Sequence, residues 1–388
     1  MIIELHLLQS FPVSNLNRDD VGQPKTATFG GYTRGRISSQ SIKRATRQLF
    51  SRYGLDESEI GMRTKRLLDH AAEVLVERGR DSDHASGVVE AGLEALGFGI
   101  DSKTRLTQYL LFVGRQAIEL LSDFCDHNWD RLHGIAREKA VKKEKTKDAD
   151  SNKVATDKAK KIKPDKETLA EARRILDASR VADIALFGRM ITDNKDFSVD
   201  AASQVAHAIS THTVVNEFDY YTAVDDLKPE AESGADMIGT VDFNSACYYR
   251  YANLDLTQLT KNLSGDVDLV ARTTRAWLYA FVHAVPSGKQ NSMAAHTVPE
   301  TLLGVARERG AWNLANAFLR PVTGPDLMAT SSEKMLQHFG QLRNFYGGTE
   351  ICSVAAASVT GDLPHTDTGD VAPSMDDFAS RVLAAAKA

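Results

Sequence analysis

Segments with strand-like sequence are separated in this chain by a long stretch with helical periodicity, and this separation limits the folds available. Residues 3–8, Ile-Glu-Leu-His-Leu-Leu, alternate in the manner of a strand with at least one buried face. From about 55 to 180, large apolar residues recur at helix spacing, and strand-like sequence returns only after Val181. The sheet must therefore be assembled from segments far apart in the chain, and the expected fold class is α+β.

The N-terminal strand is expected to end at Leu8, and a long loop containing Pro12, Pro24 and Gly30-Gly31 follows it. A helix then begins at Ser38 or Ser39, because serine is a favourable helix cap. In the later part of the chain, strands are predicted at 243–251, 302–307 and 351–357, and helices at 266–284 and 327–345. A short helix is expected at the C-terminal end.

Basic residues are concentrated near the N-terminus of a chain whose formal net charge is -5. The segment from 18 to 47 contains two acidic residues, Asp19 and Asp20, and seven basic ones: Arg18, Lys25, Arg34, Arg36, Lys43, Arg44 and Arg47. Because the chain is acidic overall, its surface is not uniformly basic, and a site for a polyanion would have to be a local cluster of basic residues.

The predicted basic helix combines two features that attract phosphate. Lys43, Arg44 and Arg47 lie opposite its apolar side, and its first turn, with Gln40, offers free backbone N–H groups at 38–41. The alternative is that these cations only keep a surface helix soluble. A second basic segment, 137–166, has twelve basic and six acidic residues and too few large apolar ones to fold alone. It is interpreted as a solvated helix or loop, or as a binding arm.

Several other sites and locations are disfavoured. Gly288-Lys289 lacks the spacing of a phosphate-binding P-loop, and Cys125, Cys247 and Cys352 are scattered, so neither a metal nor a cofactor is expected. The run from 277 to 285 is too short to span a bilayer, and the N-terminus lacks a basic leader, which predicts a cytoplasmic protein. Tyr249 and Tyr251 are interpreted as core residues, and His207 and His212 as structural or capping residues.

Blocks along nearly the whole chain resemble the CasC family, the backbone subunit of the type I-E CRISPR surveillance complex called Cascade. At the N-terminus the similar blocks are 16–20 (Leu-Asn-Arg-Asp-Asp), 29–31 and 36–45. Further blocks follow in the same order at 183–190, 206–212, 222–227, 249–253 and 286–290, whereas the helical insertion and its lysine-rich run match weakly.

The resemblance implies a modified RNA-recognition-motif palm of ferredoxin-like topology, a helical fingers insertion and a projecting thumb hairpin. The corresponding segments are palm 1–54, fingers 55–180, palm and thumb 181–242, and remaining palm with an acidic tail 243–388. In this family the copies stack head to tail on one guide RNA in a prokaryotic cytoplasm. The implied partners are the guide RNA, further copies of the chain, the other Cascade subunits and, through the guide, target DNA.

The resemblance also implies site residues. The implied phosphate contacts are Arg18, Lys25, Gln40, Lys43, Arg44, Arg47, Arg189, Lys289 and Gln290. The thumb tip would lie near Tyr220, Tyr221 and Thr222 and displace a base at regular intervals, and Met190 would help to fill the resulting gap. The family member is expected to be noncatalytic.

One alternative makes the protein a ribonuclease. A loop carboxylate beside a phosphate-binding surface can hold Mg²⁺ and promote phosphodiester cleavage, and related backbone subunits of type III complexes use a loop aspartate in this way. Asp19 and Asp20 are the candidates here. The opposing interpretation is that both carboxylates pair with Arg18 or nearby cations.

Overall fold

A computed structural model of the chain describes residues 1–101, 103–147, 166–191, 197–227, 237–361, 363 and 370–384. Within these residues the strands are β1 (Ile2–Ser14), β2 (Thr26–Phe29), β3 (Tyr32–Ile37), β4 (Met62–Thr64), β5 (Leu111–Val113), β6 (Ser203–Val205), β7 (Ala208–Ser210), β8 (Glu217–Ala223), β9 (Met237–Asp255), β10 (Thr301–Arg307) and β11 (Ile351–Ser358). The helices are α1 (Ser39–Gln48), α2 (Leu67–Glu77), α3 (Ser82–Ala95), α4 (Ala117–His127), α5 (Trp129–Lys147), α6 (Lys166–Ile175), α7 (Ala182–Phe187), α8 (Leu256–Asn262), α9 (Val267–His283), α10 (Gln290–Met293), α11 (Leu327–Tyr346) and α12 (Met375–Ala384).

The internal contacts divide the chain into two units. The first unit comprises 1–55, 202–260 and 270–388, and the second comprises 56–201 and 261–269. The sequence analysis ended the helical insertion at 180, whereas the second unit continues to 201 and regains a short segment after 260. No helix in the described part of the chain is both long and apolar enough to cross a membrane.

The first unit is organised around one antiparallel sheet with the strand order β11-β10-β1-β9-β7-β3-β2, and β6 and β8 also pair with β9. Its central strand β1 pairs with β10 on one side and with β9 on the other. The structure is thus mixed helix and sheet, as the sequence analysis predicted, and the sheet joins residues near both ends of the chain.

The prediction that β1 ends at Leu8 is wrong, because the strand continues to Ser14. The pairing with β9 shifts register between Phe11 and Ser14, which is where Pro12 lies. Proline cannot donate a ladder hydrogen bond, so strands accommodate it at an edge or an irregularity of this kind.

The predicted long loop is also wrong in part, since it contains the β2–β3 hairpin. Gly30 and Gly31, both with positive φ (63° and 84°), form its two-residue turn between the paired residues Phe29 and Tyr32. Two consecutive positive φ values suit the tight turns that follow the twist of a hairpin, and glycine adopts them without steric cost.

Both faces of the central sheet are covered by other elements. Residues directly opposite each other on antiparallel strands share a face, so Leu5 lies with Ala252, and His6 lies with Tyr251 and Leu303. We name the face of Leu5 the α9 face and the face of His6 the α11 face. The sheet is therefore the middle layer of a three-layer arrangement.

Helices α9 and α12 cover the α9 face. Buried Arg250 on β9 donates hydrogen bonds to the Phe281 and Val282 carbonyls of α9. A Cβ atom on Gly304 would lie 2.4 Å from a methyl carbon of Val382 in α12, so the absence of a side chain there permits the close packing of that helix.

The α11 face is closed by α11 and by a short 3-10 helix at Leu314–Phe318. The buried residues clustered with these elements are Leu8, Cys247, Tyr249, Tyr251, Leu303, Val305, Leu314, Phe318, Val322, Met335, Leu336, Phe339 and Ala356. This confirms the interpretation of Tyr249 and Tyr251 as core residues. Tyr249 contributes its hydroxyl as well, which accepts a hydrogen bond of 2.8 Å from the Leu314 N–H.

Polar groups are also buried on the α11 face, and they are paired with one another. The Glu4 carboxylate accepts a hydrogen bond of 3.0 Å from the Tyr251 hydroxyl and lies 3.5 Å from the Arg307 guanidinium. Arg307 in turn stacks 4.0 Å from the centroid of a Trp312 ring. Burial raises the pKa of Glu4, whereas the Arg307 charge opposes that rise.

The second unit contains helices α2 to α7 and the antiparallel pair of strands β4 and β5, with its own core. Leu67, Leu75, Val88, Leu121 and Leu132 belong to that core and are at most 1% exposed. The lysine-rich stretch predicted at 137–166 begins within α5, and its part from 148 to 165 lies outside the described residues.

We expect His6 to make the stability of the protein depend on pH. Burial, with a smaller contribution from the Arg307 charge, lowers the pKa of His6 to about 3. Between its ordinary value near 6.5 and that folded value, the unfolded chain binds one proton more than the folded chain, so stability falls as the pH is lowered. Relative to His6→Phe, the wild-type chain should lose about 2 kcal/mol of unfolding free energy between pH 7 and pH 5.

Urea unfolding at both pH values measures this loss. The comparison with His6→Phe removes the contribution of other groups, among them Glu4, whose raised pKa acts in the opposite direction. Replacing exposed His70 with Gln is the matched control and should leave the wild-type pH dependence in place. Equal pH dependence in wild type and His6→Phe would show that His6 is not held neutral.

Candidate nucleic-acid interface

A cleft of about 480 Å³ opens in the first unit where three segments meet. Its lining comes from the loop after β1 at 16–22, from the outward face of α1, and from the turn at 286–288. Arg18 of the loop and Arg44 of the helix both line the cleft and are exposed. The fold thus brings together two of the predicted phosphate contacts that are distant in sequence.

Two asparagines hold the loop against the sheet and the helix. The Asn15 Nδ2 group donates to the carbonyls of Gly22 (2.9 Å) and Asp242 (2.8 Å), which closes the loop and attaches it to β9. The Asn17 Oδ1 atom accepts a hydrogen bond of 2.8 Å from the Ser38 N–H at the start of α1. Side-chain amides commonly substitute for backbone partners in this way. The sequence analysis assigned neither residue a role, although both lie directly beside the basic loop.

Asp19 shapes the same loop. Its Oδ1 atom accepts hydrogen bonds from the N–H groups of Val21 (3.1 Å) and Gln23 (2.8 Å). This is the usual use of aspartate in a turn, where the side chain satisfies backbone donors further along the chain. Asp20 lines the cleft and is exposed.

The prediction of free backbone N–H groups at the start of α1 is wrong for two residues. Ser38 is the N-cap residue, as expected, and its hydroxyl accepts from the Ser41 N–H at 3.3 Å. The Ser38 N–H itself is bonded to Asn17. Because both groups are satisfied within the chain, the first turn of the helix contributes less to anion binding than the sequence indicated.

The cations of α1 differ in exposure. Gln40 and Arg44 are exposed, whereas Lys43 and Arg47 are half-buried and each already takes part in an interaction within the chain. Arg44 is the member of this set that lines the cleft. Ile42, Ala45 and Thr46 are buried on the opposite side of the helix, as predicted.

The turn at 286–290 packs directly on the basic loop. A Cβ atom on Gly288 would lie 2.4 Å from the Leu16 carbonyl oxygen, a distance that no side chain tolerates. Lys289 is exposed with a φ of 52°. Gln290 was predicted to contact phosphate, but its Nε2 group donates to the Pro286 carbonyl at 3.0 Å, so this amide holds the turn together.

Arg34 is not a surface cation, although the sequence analysis included it in the basic segment. Its guanidinium is fully buried and donates to the carbonyls of Ser210 (3.0 Å) and Phe318 (2.6 Å). Arg36, two residues further along β3, remains partly exposed, with its Nη1 atom 3.3 Å from the His207 Nδ1 atom. Lys25 is half-buried at the entrance to β2.

Arg189, which was predicted to contact RNA, is not a surface cation either. In the second unit its buried guanidinium donates to three carbonyls, those of Phe197 (3.0 Å), Phe112 (3.2 Å) and Leu176 (2.9 Å). Burial lowers the pKa of Arg189 to about 10. Its neighbour Met190 is 83% exposed and lines a separate cleft of the same unit.

The predicted thumb residues lie on an exposed hairpin formed by β8 and the first part of β9. Tyr220, Tyr221 and Thr222 pair with Thr240, Gly239 and Ile238 in its strands, so they are not at its tip as predicted. The chain turns beyond Ala223, and residues 228–236 lie outside the described part.

Apolar side chains are exposed on both faces of this hairpin. Phe218 (72%) and Tyr220 (57%) share one face, and Tyr221 (43%) lies on the other. Within the described part of the chain, no layer covers either face of this two-stranded ribbon, so it has no core of its own. These side chains therefore form an apolar surface on both sides of the hairpin.

Comparison with known proteins identifies relatives that match the chain over its whole length. The family model described as CT1975-like protein matches residues 3–381. A chain of a structure titled "CRISPR RNA-guided surveillance complex, pre-nicking" is 30% identical, with a TM-score of 0.82 and full coverage of both chains. A chain of a second structure, titled "CRISPR RNA-guided surveillance complex", is 24% identical, with a TM-score of 0.74 and full coverage of both chains. No match was found among curated protein sequences.

These matches agree with the resemblance seen in the sequence blocks and extend it across the described fold. The chain belongs to the family of CT1975-like proteins, and it is similar in sequence and fold to a chain of a CRISPR RNA-guided surveillance complex.

Proposed function

We propose that this protein is the noncatalytic guide-RNA-binding backbone subunit of a type I-E CRISPR surveillance complex in a prokaryotic cytoplasm. Copies stack along the RNA, hold its phosphates and leave its bases free to pair with target DNA. The observation that carries the proposal is the cleft between three segments of the first unit, which both Arg18 and Arg44 line. The similarity to a chain of an RNA-guided surveillance complex also supports it.

The topology of the first unit supports a ferredoxin-like palm. In chain order, β1, α1, β7, β9, α9 and β10 follow the β-α-β-β-α-β sequence of that fold. In space, the corresponding strands lie in the order β10-β1-β9-β7. In this proposal the second unit is the fingers, and the β8–β9 hairpin is the thumb.

The chemistry of the cleft suits recognition of an RNA backbone. Arginine guanidinium groups contact phosphate without reading the base, so a subunit that uses them accepts any guide sequence. The sheet face that carries Tyr249 and Tyr251 is closed by α11, so these aromatic rings do not stack on bases as they would in an RNA-recognition motif. Contacts from the loop at 16–22 and from α1 to the RNA backbone therefore leave the bases accessible.

The exposed hairpin supports stacking of copies. Its apolar side chains on both faces need a covering surface, and a neighbouring copy with its bound RNA provides one. Tyr220 and Tyr221 can wedge against a base, a contact worth about 1–3 kcal/mol in other single-strand binders.

The ribonuclease alternative receives less support. Asp19 already accepts two backbone N–H groups and so fixes the loop, which leaves Asp20 as the exposed carboxylate in the cleft. We therefore assign Asp19 to positioning of the loop that carries Arg18 and propose that cleavage is left to another protein.

The first experiment distinguishes binding from cleavage. Purified protein is incubated with labelled single-stranded RNA of guide length and Mg²⁺, and the samples are run on native and denaturing gels. We expect a ladder of shifted bands with intact RNA, because successive copies bind one strand. Shortened RNA that Asp20→Ala abolishes would instead establish the ribonuclease.

Removing the cleft cations should weaken RNA binding in a salt-dependent way. Each phosphate contact contributes about 0.7 to the slope of log affinity against log salt for single strands. Arg18→Ala with Arg44→Ala should therefore lower the slope by about 1.4. Arg309→Ala, which removes an exposed cation paired with Glu350, is the control and should leave the slope unchanged. An unchanged slope in the double variant would remove the cleft from the RNA path.

The glycine contact should also be required for binding. Gly288→Ala places a Cβ atom against the Leu16 carbonyl, so the turn must move away from the loop that carries Arg18. We expect RNA affinity to fall at least tenfold, measured by fluorescence anisotropy. Gly340→Ala within α11 meets no atom within 4 Å and is the matched control, with wild-type affinity expected. Equal affinities of the two variants would show that the turn is not part of the interface.

A further inference from the structure

Lys25, Arg36 and His207 lie outside the cleft, near the edge of the sheet formed by β2 and β3, and carry cationic or titratable groups on one of its faces. Lys25 is opposite Arg36, whose N–H donates to the Lys25 carbonyl at 2.8 Å. Arg36 pairs with Ile209 on β7, and His207 lies two residues before Ile209, so its side chain points to the same face. Three separate segments thus contribute to one cluster.

The contact between Arg36 and His207 indicates how this cluster is used. The Arg36 Nη1 atom lies 3.3 Å from the His207 Nδ1 atom, and guanidinium nitrogens can only donate. His207 Nδ1 must therefore be the acceptor, so the neutral imidazole of this exposed residue carries its proton on Nε2 and can donate from there to a ligand. The Nε atom of Arg36 is also committed, to the Thr26 carbonyl at 3.2 Å, so its Nη2 group can reach a further ligand.

The cluster adjoins the cleft through the basic loop. The Lys25 N–H donates to the Asn17 carbonyl at 2.9 Å, and Arg18 forms a bridge with Pro24, so the two ends of the loop lie side by side. A bound RNA that runs from Arg18 along this loop would reach Lys25 next. The cluster therefore continues the same path.

We propose that Lys25, Arg36 and His207 form a second phosphate-binding site for the RNA strand and that His207 takes up a proton when the phosphate binds. This inference rests on the proposed RNA-binding function and adds to it a residue and a pH dependence. The sequence analysis interpreted His207 as structural, and the proposal gives it a role at the interface instead.

The charges around His207 explain the proton uptake. Partial burial and the charges of Arg36 and Lys25, which face it from β3 and from the entrance to β2, lower the pKa of His207. A phosphate diester carries one negative charge, so its approach offsets one of those two positive charges and favours the imidazolium form relative to the free protein. The added proton, taken from solvent, binds at Nδ1 as the Arg36 Nη1 group turns from that nitrogen to the phosphate, and the Nε2–H group of the resulting imidazolium donates a charge-assisted hydrogen bond.

The test measures binding of 5′-labelled oligouridine by anisotropy between pH 8 and pH 6, a range in which uracil does not titrate. We expect wild-type affinity to rise as the pH falls, with a limiting slope of tenfold per pH unit for one proton. His207→Gln should abolish this rise, and His207→Arg should bind at pH 8 with an affinity independent of pH. His338→Gln in α11 is the matched control and should behave as wild type.

The outcomes separate this inference from the proposed function. Wild type and His207→Gln with the same pH dependence would overturn the inference while RNA binding itself stands. Failure of wild type to bind oligouridine at any pH would overturn the proposed function and the inference with it. Calorimetry in buffers of different ionisation enthalpy counts protons directly, and uptake lost in His207→Gln would support the inference.

Discussion

The pairing of β1 with strands from the far end of the chain is the constraint on which the rest of this structure depends. Ile2 lies opposite both Asp255 and Arg307, so the first residues are joined to segments that follow hundreds of residues later. Such pairing is entropically costly to form, because long loops must close before any contact is gained. Once formed, it determines which side chains of β1 face α9 and which face α11. It also sets the point from which the loop with Arg18 leaves the sheet.

Buried charge is used throughout the fold to connect elements. Arg34, Arg189 and Arg250 donate mainly to backbone carbonyls of neighbouring segments, and Arg307 pairs with Glu4 beneath Trp312. Removing one partner of such a group leaves the other buried and unsatisfied, which costs far more than losing a surface pair. These arginines therefore stabilise particular arrangements of the chain. They are also unavailable to a ligand, so a count of cations along the sequence overstates the charge of the interface.

The closure of the α11 face explains the location of the candidate interface. A sheet of this topology can present aromatic side chains to single-stranded RNA, but here the 3-10 helix and α11 bury that face. The exposed cations that line the cleft lie instead on the loop at 16–22 and on α1, and partly exposed Arg36 lies on the β2–β3 hairpin. Contacts from loops of this kind reach the sugar-phosphate backbone without covering the bases. The geometry is consistent with a protein that must hold any guide sequence.

The sequence by itself determined the fold class, most of the helices of the first unit and the basic nature of the loop and α1, because hydrophobic periodicity and capping residues act locally. Ser38 as the N-cap and the bounds of α11 are examples. It did not determine which cations are exposed. Arg34 and Arg36 are two residues apart on one strand, but the carbonyls of Ser210 and Phe318, from distant segments, bind the guanidinium of the first. The same holds for Gly288, whose role is visible only against the Leu16 carbonyl. Tertiary structure decided these points, because burial and close contact depend on residues that no local pattern contains.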